Sequence, residues 1–218
     1  NLTGGKQVTA DGLESTIAVS YFGHFLLNEL LVDTLQASAP SRMVILSSVV
    51  HAGSPKNRPA VHLDDLNWEQ REFRAQAAYA EAKVATVLYA QELAERLEGT
   101  GVTVYSVHPG WARSSFGSGG NLLSRIGLAV IRPLTRLVSD SNEESAQTTL
   151  HCLLSDDAPN HNGAYFSQHS VLYRAPGTRA GGWPMESPNP HARDMPTARR
   201  LVDMSYGIVG LPKPSPAS

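Results

Sequence analysis

The stretch AAYAEAKVATVLYAQELAERL (residues 77–97) predicts a helix, because alanine and leucine are strong helix formers and Gly99 and Gly101 follow its end. Tyr79 and Lys83 lie four residues apart near its start, which places both side chains on one face. A reactive pair is one interpretation. The other is a packed tyrosine beside a lysine that reaches toward the surface, so the neighbouring segments must decide.

Two short apolar runs flank this helix and predict buried strands. RMVILSS (42–48) precedes it, and VTVYSVHPG (102–110) follows it. Strand–helix–strand units imply parallel strands joined by crossover helices. We therefore expect an α/β fold, a doubly wound parallel sheet of the Rossmann-like type, as a single domain over residues 1–210 with a disordered tail at 211–218.

Further elements extend this alternation. The first predicted helix covers residues 11–38, with Asp11 and Glu14 spaced as a capping box. Its expected apolar face comprises Leu13, Ile17, Tyr21, Phe25, Leu30 and Leu31. A second capping box, Ser141 with Glu144, predicts a helix to about residue 155. The remaining predictions are a strand at 163–167, a partly apolar helix over 121–137 and a short helix near 197–209.

Composition narrows the classes of function. The chain has 218 residues, 41% hydrophobic, with a formal net charge of −2, so no basic surface for nucleic acid is indicated. No apolar run reaches the length of a membrane span. The single cysteine, Cys152, excludes an intramolecular disulfide framework, and the histidine spacing fits no zinc pattern, so no metal is predicted.

Polar residues converge on one edge of the predicted sheet. Ser48 ends the first strand, Pro109 and Gly110 end the second, and Tyr79 lies in the first turns of the helix between them. Ligands bind beyond the carboxyl ends of strands in such sheets. A phenol beside the Lys83 ammonium, with a serine hydroxyl nearby, suits proton transfer to or from a carbonyl or alcohol oxygen. A nicotinamide would have to supply the hydride.

These segments resemble the short-chain dehydrogenase/reductase superfamily. The pattern is YAEAK (79–83), preceded by VILSS and followed by YSVHPG, all in register. The longer stretch FGHFLLNELLVDTLQASAPSRMVILSS (22–48), with SVHPG and TTLHC, is similar to the retinol-dehydrogenase-like branch. The resemblance extends from about residue 9 to about residue 170.

The resemblance implies roles for individual residues. Tyr79 would be the catalytic acid/base, Lys83 would lower its pKa and bind the nicotinamide ribose, and Ser48 would orient the substrate oxygen. His108, Pro109 and Gly110 would line the nicotinamide pocket, and Ser114 would contact the carboxamide. Segment 111–138 would be the substrate lid, with Trp111 and Phe116 among the apolar residues that indicate an apolar alcohol or carbonyl substrate.

Two departures from the family pattern bear on function. Ser20 stands where the family carries an asparagine that helps to hold a water linking the lysine to solvent, so Ser20 is the fourth candidate catalytic residue. The glycine-rich dinucleotide fingerprint and the first four strands are not in this sequence, which predicts either the carboxyl-terminal part of a longer enzyme or a natural truncation. NADP is favoured over NAD by the resemblance alone.

A second hypothesis of another class is a catalytically silent oxidoreductase fold that serves as an interaction module, motivated by the missing fingerprint and by Ser20. The sequence leaves the substrate, the compartment (cytoplasmic or membrane-associated) and the oligomeric state open. A homodimer through helices 11–38 and 76–97 fits the resemblance. Contact with a membrane surface could involve an upstream segment or the lid.

Overall fold

The computed structural model describes residues 4–110, 141–167 and 184–214. Within these ranges the α-helices are α1 (Ser15–Ile17), α2 (Gly23–Ala37), α3 (Ala75–Arg96), α4 (Asn142–Leu154) and α5 (Met195–Val209). The strands are β1 (Ser41–Leu46), β2 (Val102–His108), β3 (Tyr165–Ser167) and β4 (Pro184–Met185). The predicted helix at 121–137, the lid at 111–138 and the last four residues lie outside the described ranges.

The strands form one sheet in the order β1-β2-β3-β4. Strands β1 and β2 pair in parallel from Ser41 opposite Val102 to Leu46 opposite Val107, and β2 pairs in parallel with β3. Of the strands in the described ranges, the two-residue β4 alone runs antiparallel. The outer edge of β1 has no strand partner among the described residues. The parallel α/β fold expected from the sequence is confirmed.

Helices cover both faces of this sheet. The face toward α2, α3 and α5 buries Met43 and Ile45 from β1, with Val102 and Val104 from β2. The opposite face carries a smaller core under α4, made of Tyr105, Val107, Cys152, Ala158 and Phe166. Alternate residues of β2 therefore belong to different cores, as the two-residue period of a strand requires. This arrangement is the doubly wound layer order that the sequence predicts.

The first helix differs from its prediction at its start and on one face. Glu14, not Asp11, is the N-cap: its carboxylate accepts hydrogen bonds from the backbone N–H groups of residues 16 and 17. Residues Ala18–Phe22 form a π-helical turn between α1 and α2. Leu30 and Leu31 are 61% and 42% exposed, so their assignment to the core face is wrong. Phe25 remains buried after the π turn, and Val32, seven residues later, is the next buried residue of α2, whereas Leu30 and Leu31 fall off that period.

Other boundaries agree with the sequence. The capping box of α4 is present, with the Ser141 and Glu144 side chains each accepting from the other's backbone N–H. Helix α5 packs on α3 and includes the predicted helix at 197–209. No helix in the described part of the chain is long and apolar enough to cross a membrane. The domain boundary at residue 210 and the disordered tail after it stay predictions.

Candidate active site

The carboxyl end of β1 is joined to the start of α3 by buried polar contacts. The Ser47 hydroxyl donates to the Lys83 backbone carbonyl at 2.9 Å, and the Ser47 backbone N–H donates to Val107 on β2 at 2.8 Å. Ala78 and Ala82 are fully or almost fully buried, and their small side chains allow the helix to approach the sheet closely. The residues that follow β1 are therefore held against the first turns of α3.

The Ser48 hydroxyl lies close enough to the Tyr79 phenol for hydrogen bonding to lower the pKa of that phenol. Ser48 is the N-cap of a 3₁₀ turn, Val49–Ala52, and its backbone is extended. Its oxygen also accepts a long hydrogen bond, 3.5 Å, from the Val50 backbone N–H. The hydroxyl proton is thus available to the phenol oxygen. Two elements far apart in sequence place their hydroxyl groups side by side at the carboxyl edge of the sheet.

The Lys83 ammonium lies beside this pair. Its Nζ atom is 5.7 Å from the centre of the Tyr79 ring and donates to the Leu46 carbonyl at 3.0 Å. The residue is 8% exposed, and this burial lowers the pKa of Lys83 to about 8. Lys83 is therefore a buried cation at neutral pH, held by the last residue of β1.

The pKa of Tyr79 is raised above its ordinary value. Burial is the main cause, and the hydrogen bond from Ser48 opposes it by stabilising the phenolate. Desolvation of the phenolate dominates, so the net shift is upward, and the expectation that Lys83 lowers this pKa stays a prediction. In this structure the phenol is accordingly protonated at neutral pH.

Ser20 lies in the π-helical turn, at the middle of Ala18–Phe22, and is partly buried. Its hydroxyl has no hydrogen-bond partner among the described residues. The pKa of His24, one turn later, is lowered. Burial is the main cause, and the positive charge of Lys83 is the second. The role that the resemblance gives to Ser20 stays a prediction. π turns recur at functional sites.

The ends of β1 and β2 lie side by side, so His108 is adjacent to the serine pair. It is the last residue of β2 and is 7% exposed. Pro109 follows it, and Gly110 has φ of +98°, a value that residues with a side chain rarely adopt. Trp111, Ser114 and Phe116 lie outside the described residues. Among the described residues, no group of three histidine, cysteine or acidic side chains could hold a metal ion.

Sequence reasoning missed a charged cluster that braces the start of α3. Arg71 donates from Nε to Asp65 at 2.9 Å and from Nη1 to Glu81 at 2.9 Å. Its guanidinium also lies 4.0 Å from the centre of the Trp68 ring. Glu81 is two residues after Tyr79, so this cluster fixes the turn of helix that carries the phenol. No spacing rule joins three charges from a loop and a helix.

Comparisons with known proteins were made by sequence and by structure. Retinol dehydrogenase 13 of Homo sapiens is 37% identical over 208 residues, which is 95% of this chain and 57% of that protein. Retinol dehydrogenase 12 and retinol dehydrogenase 11 of Homo sapiens are 37% and 36% identical, over 93% and 94% of this chain. The chain spans 56% of each of those two relatives.

The structural comparison also found a similar protein. A crystal structure of an uncharacterized protein from Mycobacterium paratuberculosis superposes with a TM-score of 0.66 at 25% identity, covering 96% of this chain and 64% of that one. No family model matches the chain.

Proposed function

We propose, from the premise that this chain belongs to the retinol-dehydrogenase-like branch of the short-chain dehydrogenase/reductase superfamily, that the full-length protein is an NAD(P)-dependent oxidoreductase. Its substrate would be an apolar alcohol or carbonyl compound. The observation that carries the proposal is the approach of the Ser48 hydroxyl and the buried Lys83 ammonium to the Tyr79 phenol. The names of the relatives make a retinoid the first substrate to test.

The residues present fit the ribose end of a nicotinamide cofactor. An ammonium has three N–H donors, and Lys83 uses one of them on the Leu46 carbonyl. The other two have no hydrogen-bond partner among the described residues, although Lys83 is almost fully buried. Ribose hydroxyls would satisfy them. Tyr79 would share that contact, and the backbone of 108–110 with Ser114 would hold the nicotinamide ring.

A bound nicotinamide supplies the hydride or takes it up. The protein's own groups manage the oxygen. In carbonyl reduction, Tyr79 gives its proton to the substrate oxygen, and the Ser48 hydroxyl donates a hydrogen bond to the same oxygen as negative charge develops there. The raised pKa of Tyr79 keeps the phenol protonated at neutral pH, which favours the reductive direction.

The position of Lys83 gives it two functions in this scheme. Its positive charge lies close enough to the phenol ring to stabilise the phenolate that remains after proton transfer. Its free donors bind the cofactor. Because burial lowers its pKa to about 8, both functions weaken as the pH rises above that value.

The test is Tyr79→Phe in the full-length protein, with NADPH and all-trans-retinal as probes. We expect kcat/KM to fall by about 10²–10⁴-fold, the usual contribution of a general acid. Turnover that survives within a few-fold would contradict the assignment. An interaction module would show neither turnover nor NADPH binding by fluorescence titration in the unmodified protein.

A further inference from the structure

His51 is a fully buried histidine three residues after Ser48. It lies in the 3₁₀ turn Val49–Ala52, is 0% exposed, and its ring packs edge-on against Tyr165 of β3 with ring centres 4.8 Å apart. Burial lowers its pKa to about 4, so the imidazole is neutral at neutral pH. Neither the family pattern discussed above nor the scheme for proton transfer gives it a role.

Both ring nitrogens of His51 are hydrogen-bonded. Nδ1 lies 2.5 Å from the Ser48 backbone carbonyl, and Nε2 lies 2.8 Å from the Ser187 hydroxyl. A carbonyl oxygen can only accept, so Nδ1 carries the proton. In a neutral ring Nε2 is then the acceptor, and Ser187 donates to it. The Ser48 carbonyl therefore accepts from the ring as well as from the His51 backbone N–H at 3.1 Å.

The same histidine is tied to a segment far away in the sequence. Asn189 is fully buried, and its amide donates to the His51 carbonyl at 2.6 Å and to the Pro59 carbonyl at 2.8 Å. The Asn189 backbone N–H donates to the Ser187 hydroxyl at 3.2 Å. Residues 187 and 189 thus hold the turn after β1.

Ser48 is consequently held at its peptide group as well as at its side chain. Its carbonyl is fixed by His51, and its hydroxyl bonds to Tyr79. A serine at the end of a strand could otherwise turn its peptide unit, since the Val50 contact on its side chain is long. Small errors in the position of such a hydroxyl are costly in catalysis, because the hydrogen bond to developing charge depends on alignment.

We propose that His51 is a positioning residue for Ser48, and that Ser187 and Asn189 fix its ring, so that the segment following β4 determines the alignment of the Ser48 hydroxyl with Tyr79. This inference rests on the proposed function for its catalytic consequence. The alignment itself is a property of the chain and can be measured without turnover.

Two substitutions test the hydrogen bonds of the two imidazole nitrogens one at a time. In His51→Asn, the amide nitrogen takes the place of Nδ1 and retains the bond to the Ser48 carbonyl while losing Ser187. In His51→Gln, the longer amide reaches Ser187 and loses the bond to Ser48. Both replace the aromatic ring by an amide, and His51→Asn removes one methylene more than His51→Gln, so lost packing alone would make His51→Asn the more damaging change. His51→Ala removes both bonds.

The first readout is the ¹³C resonance of the Tyr79 phenol carbon in protein labelled at tyrosine, assigned by its loss in Tyr79→Phe. We expect His51→Ala and His51→Gln to move this resonance in the same direction as Ser48→Ala, and His51→Asn to leave it in place. A resonance that moves in Ser48→Ala but stays in both His51→Ala and His51→Gln overturns the proposal. If His51→Ala does not fold, the comparison of His51→Asn with His51→Gln tests the proposal.

The second readout is turnover of all-trans-retinal with NADPH by the full-length protein. We expect His51→Gln to lower kcat by about tenfold with KM within about twofold, and His51→Asn to retain kcat within about twofold. Equal kcat in the two variants at equal melting temperature contradicts the proposal. If the unmodified protein shows no turnover, the proposed function fails, and the resonance pattern alone decides the role of His51.

Discussion

Helix α3 carries two tyrosines in opposite chemical settings. Tyr79, near its start, is half-buried and is paired with a serine hydroxyl beside a buried ammonium. Tyr89, further along, is 1% exposed and donates its proton to the Glu29 carboxylate at 2.8 Å. Burial and the negative charge of Glu29 raise the pKa of Tyr89 far above its ordinary range.

The difference shows how a partner determines what a phenol can do. A carboxylate can only accept, so Tyr89 must keep its proton, and the bond stabilises the fold. A serine hydroxyl can donate to a phenolate, so the proton of Tyr79 can leave and return. Tyr89 holds α3 against α2, and for Tyr79 we propose a role in proton transfer.

Around Tyr89 the helices α2, α3 and α5 share a polar cluster, defined as Glu29, Tyr89, Arg96 and Tyr206. Arg96 donates to Glu29 at 2.6 Å, and the Tyr206 hydroxyl also donates to Glu29. Glu29 therefore accepts from three side chains on two other helices. Every strong donor of the cluster depends on this one carboxylate.

The largest effect that we expect in this comparison is on stability, from Glu29→Gln. Removing the charge leaves Arg96 with only the weaker pairing to Glu92 at 3.3 Å, so the free energy of unfolding should fall by about 4 kcal/mol. Turnover per folded molecule should stay within a few-fold, because the cluster does not touch the site. Urea unfolding measures the change in the free energy of unfolding. A loss below about 1 kcal/mol would show that the Glu29 carboxylate contributes little to holding the three helices together.

The next effect comes from the buried Lys83, which should cost stability at neutral pH. Its pKa is about 8 in the folded chain and about 10.5 when unfolded, so the unfolded state binds more protons between these values. The free energy of unfolding should therefore rise by up to about 3 kcal/mol as the pH goes from 8 to 10.5, relative to Lys83→Met. The free energy of unfolding of each protein is measured in urea at several pH values. If it changes with pH equally in the two proteins, a buried ammonium at this position is contradicted.

The smallest effect should come from Tyr89→Phe. It removes one donor to Glu29 and leaves Arg96 and Tyr206 in place, so the free energy of unfolding should fall by about 1 kcal/mol. Calorimetry or urea unfolding measures this change. A loss above about 3 kcal/mol would mean that Tyr89, and not Glu29, organises the cluster.

Local signals predicted most of the fold. The two apolar runs and the alanine-rich helix gave the parallel unit of β1, α3 and β2, and the Ser141–Glu144 box marked the start of α4 within one residue. The π turn at Ala18–Phe22 has no such signal and was not predicted. The faces of Leu30 and Leu31 were misjudged because the helical period from Phe25 leads to Val32 instead. Strand β4 was missed because two residues, one of them proline, show no periodicity.

The candidate site was only partly readable from the sequence. The spacing of Tyr79 and Lys83 and the position of Ser48 at a strand end are local features, and the structure brings these three together. The direction of the Tyr79 pKa depends on how much water the folded chain removes from the phenol, which spacing does not encode. The bond from His51 to Ser187 joins residues 136 positions apart, beyond the reach of any local pattern.

The proposal that the Tyr79 phenol transfers the proton is tested most directly by one quotient, kcat/KM of Tyr89→Phe divided by kcat/KM of Tyr79→Phe. Both variants remove one hydroxyl from the same helix, and each is assayed in the full-length protein with NADPH and all-trans-retinal after correction for the folded fraction. The account predicts that Tyr89→Phe retains turnover within a few-fold and that the quotient is at least about 10². A quotient near one, with both variants active, would show that the phenol of residue 79 has no part in proton transfer.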